Sequence, residues 1–239
     1  MHFVNRLFRS LSRLLEDLLS LLFPNLCCAC GLQLYRGETH LCTGCLNNLP
    51  YTDHHTDPQN KAARKLWGRI QFDAAMAMLH FKKGSRVQNI IHHLKYGNNS
   101  GIGVQLGMMM AEKLQIATAF EQIDLIIPVP LHKKKEWRRG YNQSKSIADG
   151  IAAVLGVPVN HTTLIRKIAT ESQTNKNRFG RYENMKDVFK IMDEQVLHGK
   201  HVLLVDDVIT TGATIESCAN ELNKCGLKKL SIAAAALAD

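Results

Sequence analysis

His201-Val202-Leu203-Leu204-Val205-Asp206-Asp207-Val208-Ile209-Thr210-Thr211-Gly212-Ala213-Thr214 is the stretch on which the fold assignment turns. An apolar run ends in two carboxylates, and a Thr/Gly loop then opens a helical segment. The first backbone N–H groups of such a helix lack intrahelical partners and attract a phosphate. The hydroxyls of Thr210, Thr211 and Thr214 add donors, Ala213 begins the helix, and Gly212 permits close approach of the backbone. Two carboxylates beside a bare phosphate would repel it. They fit a ligand that also carries hydroxyl donors or a divalent cation, as a ribose 5-phosphate with magnesium does. The competing reading makes Asp207 a helix cap and Asp206 an incidental charge.

Outward from this stretch, short apolar runs alternate with helical segments from residue 70 onward, the pattern of an α/β domain with a mostly parallel sheet and flanking helices. Strands are expected at 72–81, 123–129, 164–168, 188–191, 201–205 and 229–236. Helices are expected at 87–95, 104–114, 143–155 and 213–225. Ligands of open α/β sheets bind beyond the carboxyl ends of strands, so the loops after Val129 and Val205 are where chemistry belongs. Cys218 and Cys225 share a helical face with Ile215 and Leu222 and read as core.

A chain of 239 residues with 45% hydrophobic residues is long enough for a sizeable core, which excludes general disorder. The net charge of +9 suits an anionic partner: a phosphate-bearing metabolite, a nucleic acid or a membrane surface. Near the N-terminus, Val4, Leu7, Phe8, Leu11, Leu14, Leu15, Leu18, Leu19 and Leu22 recur at helical spacing, so residues 1–24 are expected to form an amphipathic helix. Glu16 and Asp17 interrupt the leucines and no small-residue cleavage site follows, which argues against a signal peptide. No run approaches the roughly 20 apolar residues of a transmembrane segment, and the expected location is the cytoplasm.

Residues 25–50 read as a separate metal module. Cys27-xx-Cys30 and Cys42-xx-Cys45 form two CxxC pairs with 11 residues between them. Each knuckle turns two thiolates toward one centre, and two knuckles complete the tetrahedral sulfur shell of a structural zinc in a zinc-ribbon-like module. Cys28 and His40 stay open as substitutes for one of the four ligands.

Residues 51–70 turn polar and basic and read as a linker followed by a helix. The histidine pairs His54-His55 and His92-His93 lack metal-ligand spacing and read as solvated. After the strand at 123–129, Lys133, Lys134, Lys135, Arg138 and Arg139 place five cations within seven residues on a turn suited to a pyrophosphate; a solvated basic loop is the competing reading. The polar segment 170–184 is longer than most connections and suits a lid.

At 201–214 the sequence resembles the type I phosphoribosyltransferases. The double CxxC narrows the resemblance to the ComF (competence protein F) family, as do Phe81-Lys82 through Leu94-Lys95-Tyr96, Pro128-Val129-Pro130-Leu131-His132 through Arg139-Gly140-Tyr141-Asn142-Gln143, and Ser172-Gln173 through Arg178, Arg181 and Asn184. The resemblance implies a type I phosphoribosyltransferase fold over 71–239 that binds phosphoribosyl diphosphate (PRPP) with magnesium. Asp206 and Asp207 would hold the ribose 2- and 3-hydroxyls. Thr210, Thr211, Gly212, Ala213 and Thr214 would wrap the 5-phosphate. Lys135, at a position where the family pattern has arginine, and Arg139 would serve the pyrophosphate, and Arg178 and Arg181 would lie on the flap. In the hypoxanthine-type relatives a carboxylate follows the acidic pair by three residues; Thr210 stands there and disfavours purine salvage. A PRPP sensor without turnover and a DNA-uptake accessory protein that handles single-stranded DNA are the alternatives. No Walker A sequence is present, so the chain is not itself an ATP-driven motor. Aromatics, at 6% of residues and not interleaved with the basic run, weaken base stacking.

Overall fold

The computed structural model describes residues 23–167 and 188–238. The amphipathic helix expected at 1–24, the segment 170–184 and Arg178 and Arg181 fall wholly or largely outside the described residues. The chain divides into two compact units, Met1–Leu49 and Pro50–Asp239.

In the first unit a tight turn follows Cys27, where Gly31 N donates to Cys27 O at 2.9 Å and Gly31 takes a left-handed φ of 76°. Helix α1 (Thr43–Asn48) is capped by Cys42, whose Sγ accepts from Cys45 N at 3.3 Å. Glu38 ties the halves together, its carboxylate accepting from Tyr35 N at 2.8 Å and Thr43 N at 2.6 Å.

The second unit begins by packing onto its own sheet. Tyr51 bridges Leu79, and Thr52 Oγ1 donates to Ala77 O at 2.5 Å. Asn60 is buried, donates to Ala75 O at 2.7 Å and caps helix α2 (Lys61–Leu66) through Ala63 N. The expected linker is therefore stitched to strand β1 (Ala74–Phe81) by buried polar groups. His54, expected in solvent, is buried beneath it and accepts from Ala77 N at 3.3 Å. His92 and His93 are exposed as expected.

The chain continues through α3 (Arg86–Tyr96), α4 (Ser100–Gln115), β2 (Leu125–Pro128), α5 (Lys133–Arg139), α6 (Gln143–Leu155), β3 (Leu164–Arg166), β4 (Phe189–Ile191), β5 (His201–Ile209), α7 (Ala213–Leu222) and β6 (Lys229–Ala238). Four strands form one all-parallel sheet in the order β1-β6-β5-β2. Helices cover both faces, so the central strands carry apolar residues without alternation, and Val202, Leu203, Leu204 and Val205 are all fully buried. Ala62, Ala63 and Leu66 of α2 meet Ile215, Cys218, Ala219 and Leu222 of α7 in one core cluster with Val202 and Leu204. Helix α4 packs on α6 almost backbone to backbone: a Cβ added to Gly107 would lie 2.1 Å from Ile147 O, and one at Gly150 2.1 Å from Val104 O.

Two further expectations change. Strands β3 and β4 leave the main sheet and pair with each other antiparallel, because three residues each give too short a ladder to fix a place by hydrophobic pattern. The basic stretch expected as a turn is helix α5, opened by His132, whose Nδ1 accepts from Lys134 N, and stopped at left-handed Gly140 (φ 78°). Lys, Glu and Arg are good helix formers, and Gly140 supplies the stop.

Candidate functional site: a carboxylate pair at the end of β5

Strand β2 pairs with β5 from Leu125↔Val202 to Pro128↔Val205, and Val129 N donates to Val205 O at 2.8 Å. The chain then turns away at Pro130, while β5 continues beside β6 to Ile209. Asp206 and Asp207 thus lie within the strand, not after it, where the edge left by β2 opens. A cavity of about 330 Å³ occupies this opening. Of the residues singled out in the sequence, Asp206, Asp207, Thr210, Thr214, Lys135 and Arg139 line it. Thr211, Gly212 and Ala213 complete the loop outside that lining. Lys95, Ser144 and Arg166 line it as well, without having been picked out for a role.

The two carboxylates differ in their surroundings. Asp206 is buried and accepts from Ser144 Oγ at 3.0 Å and Asp207 N at 2.8 Å. Burial, and then the neighbouring Asp207 charge, push its carboxyl from 3.8 up to about 7. Asp207 pairs with Lys95 Nζ at 3.0 Å. It does not cap the helix, since Gly212 is the N-cap of α7 and offers no side-chain acceptor.

Opposite the acidic pair, Lys135 and Arg139 recur at i, i+4 on one face of α5. Arg139 Nη1 donates to Gln143 Oε1 at 2.6 Å, and its guanidinium lies over Tyr96 with 5.4 Å to the ring centroid. Its Nε is buried and unpartnered among the described residues. Tyr141 fastens this corner to the helical face, its hydroxyl 2.5 Å from Leu94 O and 3.1 Å from Asn99 O. Asn142 Nδ2 donates to Val129 O at 3.1 Å and its Oδ1 accepts from Ser144 N, so the cavity wall and the start of α6 are one hydrogen-bonded piece.

Arg69, at the end of the polar and basic segment 51–70 read from the sequence as a linker followed by a helix, contacts the loop at 210–214. Its Nη1 donates to Thr211 O at 2.6 Å and its Nε to Glu216 Oε2 at 3.0 Å. Nothing local in the sequence signals that contact, which spans 142 residues. Lys95 did carry a signal, since it lies inside one of the segments that mark the family resemblance.

In the first unit, the Sγ atoms of Cys27, Cys30, Cys42 and Cys45 lie within 4.8 Å of one another, the one such group among the described residues. Four sulfurs about 2.3 Å from a zinc ion stand roughly 3.8 Å apart. The Cys30 and Cys42 sulfurs are 3.8 Å apart, and Cys27 Sγ and Cys42 Sγ accept backbone N–H groups as knuckle thiolates do. The four cysteines therefore fit a metal ion; Cys28 and His40 are not in the group. Burial raises the Cys28 thiol, and no disulfide links the described cysteines.

Comparison with known proteins adds a domain match and relatives. Residues 142–239 match the phosphoribosyl transferase domain model, which takes in α6, β5, the loop at 210–214, α7 and β6. DNA utilization protein YhgH of Salmonella typhimurium is 32% identical over 146 residues, 60% of this chain and 63% of that protein; the match thus spans less than two thirds of the relative's length. Competence protein F of Haemophilus influenzae is 26% identical over 218 residues, 86% of this chain and 94% of that one. Among solved structures, a glutamine phosphoribosylpyrophosphate amidotransferase from B. subtilis is 19% identical with a TM-score of 0.43, covering 60% of this chain and 30% of that one. No helix among the described residues is long and apolar enough to cross a membrane. The chain is thus a homologue of proteins named Competence protein F and DNA utilization protein YhgH, with a phosphoribosyl transferase domain over residues 142–239.

Proposed function

We propose that the cavity at the end of β5 binds PRPP together with magnesium and supports transfer of its phosphoribosyl group. The observation that carries this reading is the presence of two carboxylates, Thr210 and Thr214 of the helix start, and the cations Lys135 and Arg139 in the lining of one cavity. Asp206 and Asp207 accept the ribose hydroxyls, which suits charge-assisted hydrogen bonds. The loop of Thr210, Thr211, Gly212, Ala213 and Thr214 takes the 5-phosphate. Lys135 and Arg139 face the pyrophosphate, with Arg178 and Arg181 as further candidates by family resemblance. Carboxylate and hydroxyl oxygens are the hard donors magnesium prefers, and a bound magnesium supplies neutralisation of the departing charge. Thr210 occupies the place of the carboxylate that assists base deprotonation in hypoxanthine-type relatives, which disfavours purine salvage of that type. A pyrophosphate-release assay with PRPP, magnesium and a panel of bases, amines and single-stranded DNA tests the reading. Calorimetric binding of PRPP without release to any acceptor would assign a sensor, and absence of binding would overturn the site.

The four-cysteine group holds a structural zinc in this reading, because four thiolates leave no open position for catalysis. Four thiolates kept for a metal suit a reducing compartment, which supports a location in the cytoplasm.

A second reading, handling of single-stranded DNA, has one observation in its favour. Trp137 projects from α5 among Lys133, Lys134 and Arg138 with 89% of its surface exposed. An aromatic does therefore lie inside the basic run, contrary to the composition argument. Cations for phosphates and an indole for a base are the elements of a stacking platform. The relatives' names, competence and DNA utilization, point the same way.

A further inference from the structure

The first turn of α7 holds the end of the loop, Gly212 O accepting from Glu216 N at 2.8 Å and Ala213 O from Ser217 Oγ at 3.0 Å, but the Thr211–Gly212 peptide before it has little local support. Gly212 starts α7 in the left-handed region (φ 79°) with no side-chain cap, and within the loop Thr211 Oγ1 accepts from Ala213 N at 3.4 Å. A peptide unit followed by glycine is also the kind most free to flip, since glycine tolerates both signs of φ. The firm contact comes from outside: Arg69 Nη1 donates to Thr211 O at 2.6 Å. Arg69 is itself held on two more sides. Nη1 donates to Lys65 O at 3.1 Å at the end of α2, while Nε at 3.0 Å and Nη2 both reach Glu216 Oε2 in the first turn of α7.

Resting on the reading of 210–214 as the 5-phosphate loop, we propose that Arg69 is a positioning residue that sets the direction of the Gly212 amide. Thr211 O and Gly212 N–H belong to one peptide unit, and every described peptide bond is trans. In a trans peptide the two point in opposite directions. Anchoring the carbonyl on Arg69 therefore turns the Gly212 N–H away from the guanidinium and into the loop's anion cradle. The flipped peptide would present a carbonyl to the phosphate in its place. Arginine suits the task because its planar fork bridges three acceptors at fixed angles, which a lysine ammonium cannot. Leu66 completes the brace, since a Cβ on Gly212 would fall 2.9 Å from Leu66 Cδ2. The α2 region, continuous with a segment that reads as a linker, thus becomes part of the phosphate site's framework.

The test compares Arg69→Met and Arg69→Lys with wild type in the full chain. Arg69→Met is expected to stay folded, because Ala62, Ala63 and Leu66 still anchor α2 in the core. It should lose on the order of 10-fold in affinity for both inorganic phosphate and PRPP with magnesium, measured by calorimetry. Arg69→Lys should recover part of that loss by donating to Thr211 O alone, and it serves as the test variant if Arg69→Met does not fold. The Gly212 amide resonance of the ligand-free protein is the second readout and should shift in Arg69→Met. Wild-type affinities in Arg69→Met, or an unmoved Gly212 resonance, would overturn the proposal. If wild type binds neither phosphate nor PRPP, the functional reading fails, and the Gly212 resonance alone decides whether Arg69 orients the peptide.

Discussion

Asp206→Asn removes a charge while keeping the shape, and the site predicts an unusual sign for its effect on stability. The asparagine Oδ1 can still accept from Ser144 Oγ and Asp207 N, the two bonds that Asp206 Oδ1 accepts at 3.0 and 2.8 Å. What disappears is the cost of ionising a carboxyl that burial and Asp207 hold at about 7 in place of 3.8. Because the folded value is raised, the native state binds more protons than the unfolded chain between those two pH values. Stability accordingly falls as pH rises through that window and levels off above about pH 7. Each pH unit of the window is worth about 1.4 kcal/mol, so the full cost is roughly 4 kcal/mol. Relaxation around Lys95 reduces it, and Asp206→Asn should be more stable than wild type by on the order of 2–4 kcal/mol at pH 8. At pH 5 the gain should shrink to less than half. Urea unfolding at the two pH values, with unchanged m-values, measures both differences. A variant destabilised by the same amount at pH 5 and pH 8 would refute the reasoning. The stabilised variant should also bind PRPP with magnesium more weakly, the exchange of stability for function expected at a strained site.

Three other outcomes are open to measurement. Asp206→Ala and Asp207→Ala should each lower PRPP affinity on the order of 10- to 100-fold while inorganic phosphate binding holds or improves, because a repelling carboxylate is gone; equal losses for both ligands in calorimetry would remove the diol assignment. Elemental analysis should find one zinc per chain, and Cys42→Ser or Cys45→Ser should lose it together with order in the first unit. A zinc-free protein purified without chelator yet fully folded would count against the site. Binding of single-stranded DNA should weaken steeply with salt, with a log–log slope of about −0.7 per phosphate contact, and should weaken further in Trp137→Leu; affinity indifferent to salt would sink the electrostatic account.

Much of the architecture was legible because buried parallel strands leave a strong local mark. The run from Val202 to Val205 is apolar on both faces, and the Thr/Gly loop after it is a helix start with a mechanism. The cysteine spacing was equally direct, as metal geometry dictates it. The end of β5 was not legible, since paired carboxylates look like a strand terminus when the ligand cavity that receives them lies outside the sequence window. Helix α5 was hidden for a related reason: with no buried residue it has no apolar stripe to reveal its period. His54 and Asn60 look like surface polar residues until their partners on β1 are known. Lys95 beside Asp207 and Arg69 on Thr211 are contacts between distant parts of the chain, and no local pattern encodes them.

The glycine contact between α4 and α6 reaches further than its place in the core suggests. Relieving a Cβ at Gly150, 2.1 Å from Val104 O, requires a shift of roughly 1 Å in a close-packed interior. A helix moves as a rod, and Ser144 rides on the same rod, in its first turn, with its hydroxyl 3.0 Å from Asp206. A single methyl at Gly150 or Gly107 would therefore act as a lever, carrying a steric fault from the contact between α4 and α6 into the acidic pair. Loss-of-function alleles are to be expected at these two glycines even though neither lines the cavity, and their signature would be an altered Asp206 titration in a protein that still folds.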